Sequence, residues 1–86
     1  MIAHPSADDD VLRTALIRGA FDYAGQKCSA ASRAYLPRSV WNRMGDDLIT
    51  AVDELPMGDP RDLDNFLGAV IDERAFAKQR AAIERA

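Results

Sequence analysis

The sequence predicts an α/β segment, mostly helical with one short strand, in the order helix, cysteine loop, strand, helix, long loop, helix. Three observations carry this. Apolar residues recur at three and four between Leu12 and Tyr23, and again between Val40 and Leu55, the period of one helix face. Residues 33–36, Arg-Ala-Tyr-Leu, make a short run closed by Pro37, which cannot donate to a ladder and so ends a strand. Residues 72–86 are rich in Ala, Glu, Arg and Lys, all strong helix formers.

Taken in order, His4-Pro5-Ser6-Ala7-Asp8 reads as a turn into a helix start, with Ser6 or Asp8 able to accept from unpaired helical N–H groups. The first helix then runs from about Val11 to Phe21 or Tyr23. Gly19 in its interior would cost about 1 kcal/mol relative to Ala, so something packed closely against it is expected. Gly25 ends the pattern. A strand over residues 33–36 has no second strand in the sequence beside it, so its backbone groups are expected to be unpaired within the chain. Ser39 is the candidate N-cap of the second helix, whose stripe is Val40, Trp41, Met44, Leu48, Val52 and Leu55. Pro56 and Gly58 stop it, and residues 56–71 are expected to form a long loop with few contacts of its own. Phe76 and Ile83 give the last helix a thin apolar seam.

The chain has 86 residues with 11 basic and 14 acidic side chains, net charge -3, and is 48% hydrophobic. That composition describes a small globular piece. A chain this short buries only about 60 to 65% of its unfolded surface, so its core is modest. Acidic and basic residues are interspersed, and no basic face suited to nucleic acid is visible. No run approaches the ~18 apolar residues of a membrane span. The N-terminal ten residues are polar and acidic, unlike a leader, and a single cysteine cannot close a disulfide within the chain, so a cytoplasmic address is expected. His4 has no Cys or His at ligand spacing, and Asp8-Asp9-Asp10 is not followed by acids at loop spacing, so no metal site is expected.

The only thiol, Cys28, lies between the first helix and the predicted strand. Spacing alone leaves two readings open, a buried inert packing residue or a reactive thiol. Gly25 allows a tight turn, and Lys27 supplies a neighbouring positive charge that favours a thiolate. Gln26 is expected to shape the loop through its amide. Arg33, Tyr35 and Trp41 read as structural, Trp41 as core and Arg33 as a partner of a carboxylate.

The string Phe21-Asp22-Tyr23-Ala24-Gly25-Gln26-Lys27-Cys28-Ser29-Ala30-Ala31-Ser32-Arg33 resembles the active-site cysteine motif of the aldehyde dehydrogenase superfamily, with an aromatic ahead of Gly-Gln-x-Cys and an Arg five residues after the Cys. Met57-Gly58-Asp59-Pro60 resembles that family's Gly-Asp/Asn-Pro loop, and Gly68-Ala69-Val70-Ile71-Asp72 its Gly-Pro-x-Ile segment, with Ala69 in place of Pro. Within the superfamily, His4-Pro5-Ser6-Ala7-Asp8, the Gly-Gln-Lys-Cys-Ser-Ala string and Ala69 are most similar to the branch that oxidises L-glutamate γ-semialdehyde to glutamate with NAD, the 1-pyrroline-5-carboxylate dehydrogenases of proline degradation. The resemblance spans essentially the whole chain.

The resemblance implies that Cys28 is the nucleophile, passing through a thiohemiacetal and a thioester, with its own backbone N–H as one donor to the oxyanion. It makes Lys27 and Ser29 candidates for contact with the small-molecule aldehyde substrate; apart from it, they read as a solvated Lys and a turn Ser. It also implies that residues 1–86 are part of a catalytic domain. The NAD-binding domain, the general-base Glu, the Asn that completes the oxyanion site and the loop that holds the substrate carboxylate would lie elsewhere in a longer, homo-oligomeric enzyme. The 86 residues alone are then expected to be inactive. A different class of reading stays open, a stand-alone helical module that docks on a protein partner through the Trp41 to Leu55 stripe. A one-cysteine redox sensor is a weaker third.

Overall fold

Asp8 starts the first helix. In a computed structural model that describes all 86 residues, its Oδ1 accepts the Val11 N–H at 3.0 Å, satisfying one of the donors that a helix N-terminus leaves free. Asp9 and Asp10 add negative charge at the positive end of the helix dipole. The helix, α1, spans Asp9–Phe21. Of the two capping candidates Asp8 is the one used, and the Ser6 hydroxyl pairs instead with His4 Nδ1 at 2.8 Å.

The second helix, α2, spans Arg38–Asp53. The expected Ser39 cap is corrected: Pro37 holds that position, and its carbonyl accepts the N–H groups of Val40 and Trp41 at 3.0 Å each. Its ring-fixed φ of -57° already suits a helix entry. Leu12 and Leu16, one turn apart on α1, meet Val40 and Met44, one turn apart on α2, and these four make the core, with Ala3, Ala7, Leu36 and Leu48 packed around it. Trp41, expected in that core, is 46% exposed. It lies about 100° around the helix from Val40, and its ring folds back onto Gly45, where a Cβ would stand 2.9 Å from it. Across the helix pair, Arg43 Nη2 and Nε hold the two Asp9 carboxylate oxygens at 2.7 and 3.0 Å.

The expected strand over residues 33–36 is reduced to one parallel bridge between Tyr35 and Ile2. Tyr35 N–H donates to Met1 O at 2.9 Å, and Ala3 N–H donates to Tyr35 O at 3.0 Å. The unpaired backbone expected there therefore has partners on one side, supplied by residues 1–3. Parallel pairing needs a crossover of a dozen or more residues, and α1 is that crossover. The same arrangement brings the Met1 thioether over Gly19, 3.1 Å from where a Cβ would be, which accounts for the glycine inside α1. Arg33 has no carboxylate partner, contrary to expectation; the six ion pairs of the chain involve other cations.

The loop after α2 is also better ordered than its composition suggests. Phe66 and Leu67 N–H groups donate to Pro56 O at 2.9 and 3.1 Å, Gly58 N–H to Leu67 O at 3.0 Å, and Asn65 Nδ2 to Asp59 O at 3.1 Å. Leu67 is buried beneath it. Helix α3, Glu73–Ile83, is capped by Asp72 Oδ1 on Ala75 N at 2.7 Å, but it packs on no other helix, leaving Phe76 and Ile83 exposed.

Only six of 86 residues are buried, and the accessible surface is 6952 Å². A compact chain of this mass exposes roughly 5,000 Å², so about 1,900 Å² is in excess. The radius of gyration, 14.1 Å, exceeds the ~12 Å of a compact domain of this length. No helix is long and apolar enough to cross a membrane.

Two predictions follow from this packing. The hydrogen bond from Arg43 holds the Asp9 carboxyl below its ordinary value of 3.8. A depressed carboxylate contributes in full above 3.8, and its contribution is lost as pH falls through the lower folded value. Asp9→Asn should remove that part of the acid sensitivity, measured as unfolding midpoints of both proteins between pH 5 and pH 2, pH values of about this range spanning the titration. The glycines should separate in sign. Gly19→Ala meets only the flexible end of Met1 and should be neutral or stabilising by up to about 1 kcal/mol. Gly25→Ala, at φ +70° and 3.0 Å from Ala20 O, should cost about 1 kcal/mol or more in urea unfolding.

Candidate active site

At its end α1 turns left-handed. Tyr23, Ala24 and Gly25 follow one another at φ 54°, 56° and 70°, a region in which only glycine rests without cost. Sequence reading finds the glycine and misses the two residues before it, since neither Tyr nor Ala signals positive φ. The reversal is held from both ends. Ala31 N–H donates to Gly19 O at 2.8 Å, satisfying a carbonyl that the helix end leaves free, and the backbone N–H of Gln26 donates to Tyr23 O at 3.1 Å.

Between these ties lies the cysteine turn. Ala30 N–H donates to Lys27 O at 3.1 Å, the closing bond of a four-residue turn in which Cys28 and Ser29 are the central pair. Cys28 is a free, exposed thiol, so it is not the buried packing residue that spacing alone allowed. Its backbone N–H has no acceptor within the chain. Lys27 and Ser29 are exposed on either side of it. The three sequence candidates are thus presented together on one surface turn.

The Lys27 charge is met locally. Its Nζ stands 3.5 Å from Asp22 Oδ2 and 4.6 Å from the centre of the Tyr23 ring. Asp22 also faces Arg18 at 3.8 Å, and Arg18 lies 5.6 Å over the Phe66 ring. Asp22 is therefore a shared anion between the last turn of α1 and the cysteine turn. Sequence reading passed over it, although an acid five residues before a Lys that flanks the cysteine was a usable signal.

Gln26 behaves as expected of a loop-shaping amide, with a reach that the sequence does not disclose. Its Nε2 donates to Tyr23 O at 3.1 Å, and its Oε1 accepts the Ile71 N–H at 2.9 Å across 45 residues of sequence. The Gly-Gln-Lys-Cys string and the Gly68 to Asp72 string are thereby joined. Tyr23, Gln26, Lys27 and Ile71 line an open hollow of ≈ 690 Å³. In the third string, Asp59 is chelated by Arg61, whose Nη2 and Nε lie 2.6 and 3.1 Å from its Oδ2; those bonds hold its carboxyl below the ordinary value. That string lies next to a second hollow, of ≈ 580 Å³, lined by Pro60 together with Asp22, Tyr23 and Phe66. Cys28 lines neither hollow. No three His, Cys, Asp or Glu side chains converge as a metal site would need.

The pattern of the aldehyde dehydrogenase family matches residues 1–86. The chain is 45% identical over 83 residues to the mitochondrial Delta-1-pyrroline-5-carboxylate dehydrogenase of Dictyostelium discoideum, covering 96% of this chain and 15% of that protein. The mouse protein of the same name is 43% identical over 84 residues, with the same shares covered. The crystal structure of the Delta-pyrroline-5-carboxylate dehydrogenase from Mycobacterium tuberculosis bound with NAD matches with a TM-score of 0.94 at 65% identity, over 99% of this chain and 16% of that one. The chain thus spans about a sixth or less of the length of the relatives it matches. With the family pattern running from residue 1 to residue 86, the chain belongs to the aldehyde dehydrogenase family.

Proposed function

We propose that this segment supplies the nucleophile of an NAD-dependent dehydrogenase that oxidises L-glutamate γ-semialdehyde to glutamate, and that it works as part of a larger catalytic domain. The observation that carries this is the cysteine turn: an exposed thiol whose own N–H is free, held in a Gly-Gln-Lys-Cys-Ser frame. Attack of the Cys28 thiolate on the aldehyde carbon forms a C–S bond and moves the carbonyl π electrons onto oxygen. The Cys28 N–H is a preorganised donor for that oxyanion. Lys27 and Ser29, on the same turn, are placed to meet the substrate's carboxylate, Ser29 through its hydroxyl.

Release of hydride needs a two-electron acceptor, and the dinucleotide-binding domain is taken to lie outside these 86 residues. There is no strand followed by a glycine-rich phosphate turn, and the capping residues of α1 and α3, Asp8 and Asp72, are acids that would repel a pyrophosphate. NAD is therefore assigned to other parts of the enzyme, a reading supported by the NAD-bound Mycobacterium tuberculosis relative. The surface excess and the unpacked α3 favour an embedded segment over a self-contained docking module. An exposed, unpaired thiol works only where it stays reduced, which supports a cytoplasmic address; the Dictyostelium and mouse relatives are mitochondrial by name.

The test is a graft. Residues 1–86 replace the matching segment of the Mycobacterium tuberculosis enzyme, and NADH formation is followed with the semialdehyde. The graft should be active, and Cys28→Ala should lower kcat by more than about 10³-fold. Lys27→Ala and Ser29→Ala should each raise KM for the semialdehyde up to about tenfold, with a smaller effect for an aldehyde that lacks the carboxylate. Turnover retained by Cys28→Ala would overturn the reading.

A further inference from the structure

We propose that Gln26 is the positioning residue of the cysteine turn: its carboxamide clamps the left-handed Tyr23 carbonyl to the Ile71 N–H, so that the segment ahead of α3 sets where Cys28 stands. This deepens the assignment of Cys28 as nucleophile and rests on it. Tyr23 and Ala24 each hold a left-handed backbone that residues with a Cβ seldom adopt, and such a conformation persists only where its surroundings impose it. The Tyr23 carbonyl takes two hydrogen bonds from one residue, from Gln26 N and from Gln26 Nε2, both at 3.1 Å. The other end of the same amide accepts from Ile71 N at 2.9 Å.

The chemistry demands an amide of this length. One side must donate to a carbonyl and the other must accept from an N–H, so the orientation of the carboxamide is fixed by its partners: turned over, it would set acceptor against acceptor and donor against donor. Asn carries the same groups on a shorter stem. Glu can accept from Ile71 but faces the Tyr23 carbonyl with an oxygen. No other side-chain hydrogen bond joins residues 22–30 to residues 66–72, so this amide alone couples the two strings in that way. One residue, Lys27, separates Gln26 from Cys28, and the turn that begins at Lys27 and carries Cys28 is closed by a single backbone bond, Ala30 N–H to Lys27 O. A shift of the amide is therefore passed on to the sulfur.

Gln26→Leu and Gln26→Glu in the grafted enzyme decide the matter. Gln26→Leu removes both bonds and should lower kcat about 10- to 100-fold, the loss that a misplacement of about 1 Å produces, with KM values changed less than about threefold. Gln26→Glu keeps the acceptor for Ile71 and should fall between Gln26→Leu and the parent. Hydrogen exchange of the Ile71 amide, read whether or not the graft turns over, should speed up about tenfold in Gln26→Leu and stay near the parent rate in Gln26→Glu. A folded Gln26→Leu variant with parental kcat overturns the proposal. So does a rise in KM at unchanged kcat, since the amide would then be touching substrate, or unchanged Ile71 exchange. If Gln26→Leu does not fold, Gln26→Glu decides alone, and parental kcat in it refutes the clamp. Loss of positioning with Cys28→Ala still inactive leaves the nucleophile assignment standing; turnover in Cys28→Ala removes both.

Discussion

The reversal at the end of α1 is the constraint on which the other features depend. Three successive left-handed residues, Tyr23 to Gly25, turn the chain back so that Ala31 can bond Gly19 O and residues 33–35 can run beside residues 1–3. Without that turn the Tyr35 to Ile2 bridge has no register, and α2 does not enter beside α1 with Val40 and Met44 against Leu12 and Leu16. The cysteine lies inside the reversal. The sulfur is thus placed by backbone hydrogen bonds and a conformational restriction, while apolar packing happens one layer away. For the proposed nucleophile this arrangement matters, because burial in the four-residue core would seal the sulfur from an aldehyde.

The same arrangement explains a surface that is too large. Ile2, Tyr35, Leu63, Ile71, Phe76 and Ile83 are all more than half exposed, and they fall on the bridge edge, the ordered loop and α3. These are the parts that gain least from the α1 and α2 core. The bridge satisfies one side of residues 33–35 and leaves the other side open, as an inner strand of a parallel sheet would require of its second neighbour. An exposed side chain such as Leu63 gains nothing by itself, but a contiguous cover over these elements would remove apolar surface at roughly 25 cal/mol per Å².

Much of this was legible in the sequence, and the remainder was not for identifiable reasons. The α1 and α2 boundaries follow from the three-and-four spacing and from Gly25 and Pro56, because periodicity reports a helix that has a core side. Trp41 was misread because the spacing puts it one residue from Val40, and a period of 3.6 cannot tell the edge of a stripe from its centre. The strand over 33–36 was overread: β-type composition says that a segment can extend, whereas a ladder depends on neighbours that only tertiary structure names. Pro37 displaced Ser39 as the cap because the fixed φ of proline outweighs the side-chain preference of the next residue. In the site, Cys28, Lys27 and Ser29 come from the resemblance of the Gly-Gln-Lys-Cys-Ser string, and as contiguous residues they share one turn. Asp22 is legible only in part, from its distance to Lys27, because the left-handed turn that sets its partners is one that Tyr and Ala do not advertise; the Ile71 N–H, a backbone group, carries no sequence signal at all.

The Gly68-Ala69-Val70-Ile71-Asp72 string meets the cysteine turn through backbone, the Ile71 N–H donating to Gln26 Oε1 at 2.9 Å. Ala69, where the family pattern carries proline, sits two residues before that N–H. A proline there restricts the preceding residue, Gly68, to extended conformations and stiffens the approach to Ile71; alanine leaves that approach to be fixed by hydrogen bonding instead. Asp72, the very next residue, caps α3 through Ala75 at 2.7 Å. The Ile71 donor is therefore held between the start of α3 on one side and the Gln26 amide on the other. With alanine at position 69, the order of this approach rests on these two bonds and not on a ring, which is where the proposed role of the amide in placing Cys28 comes from.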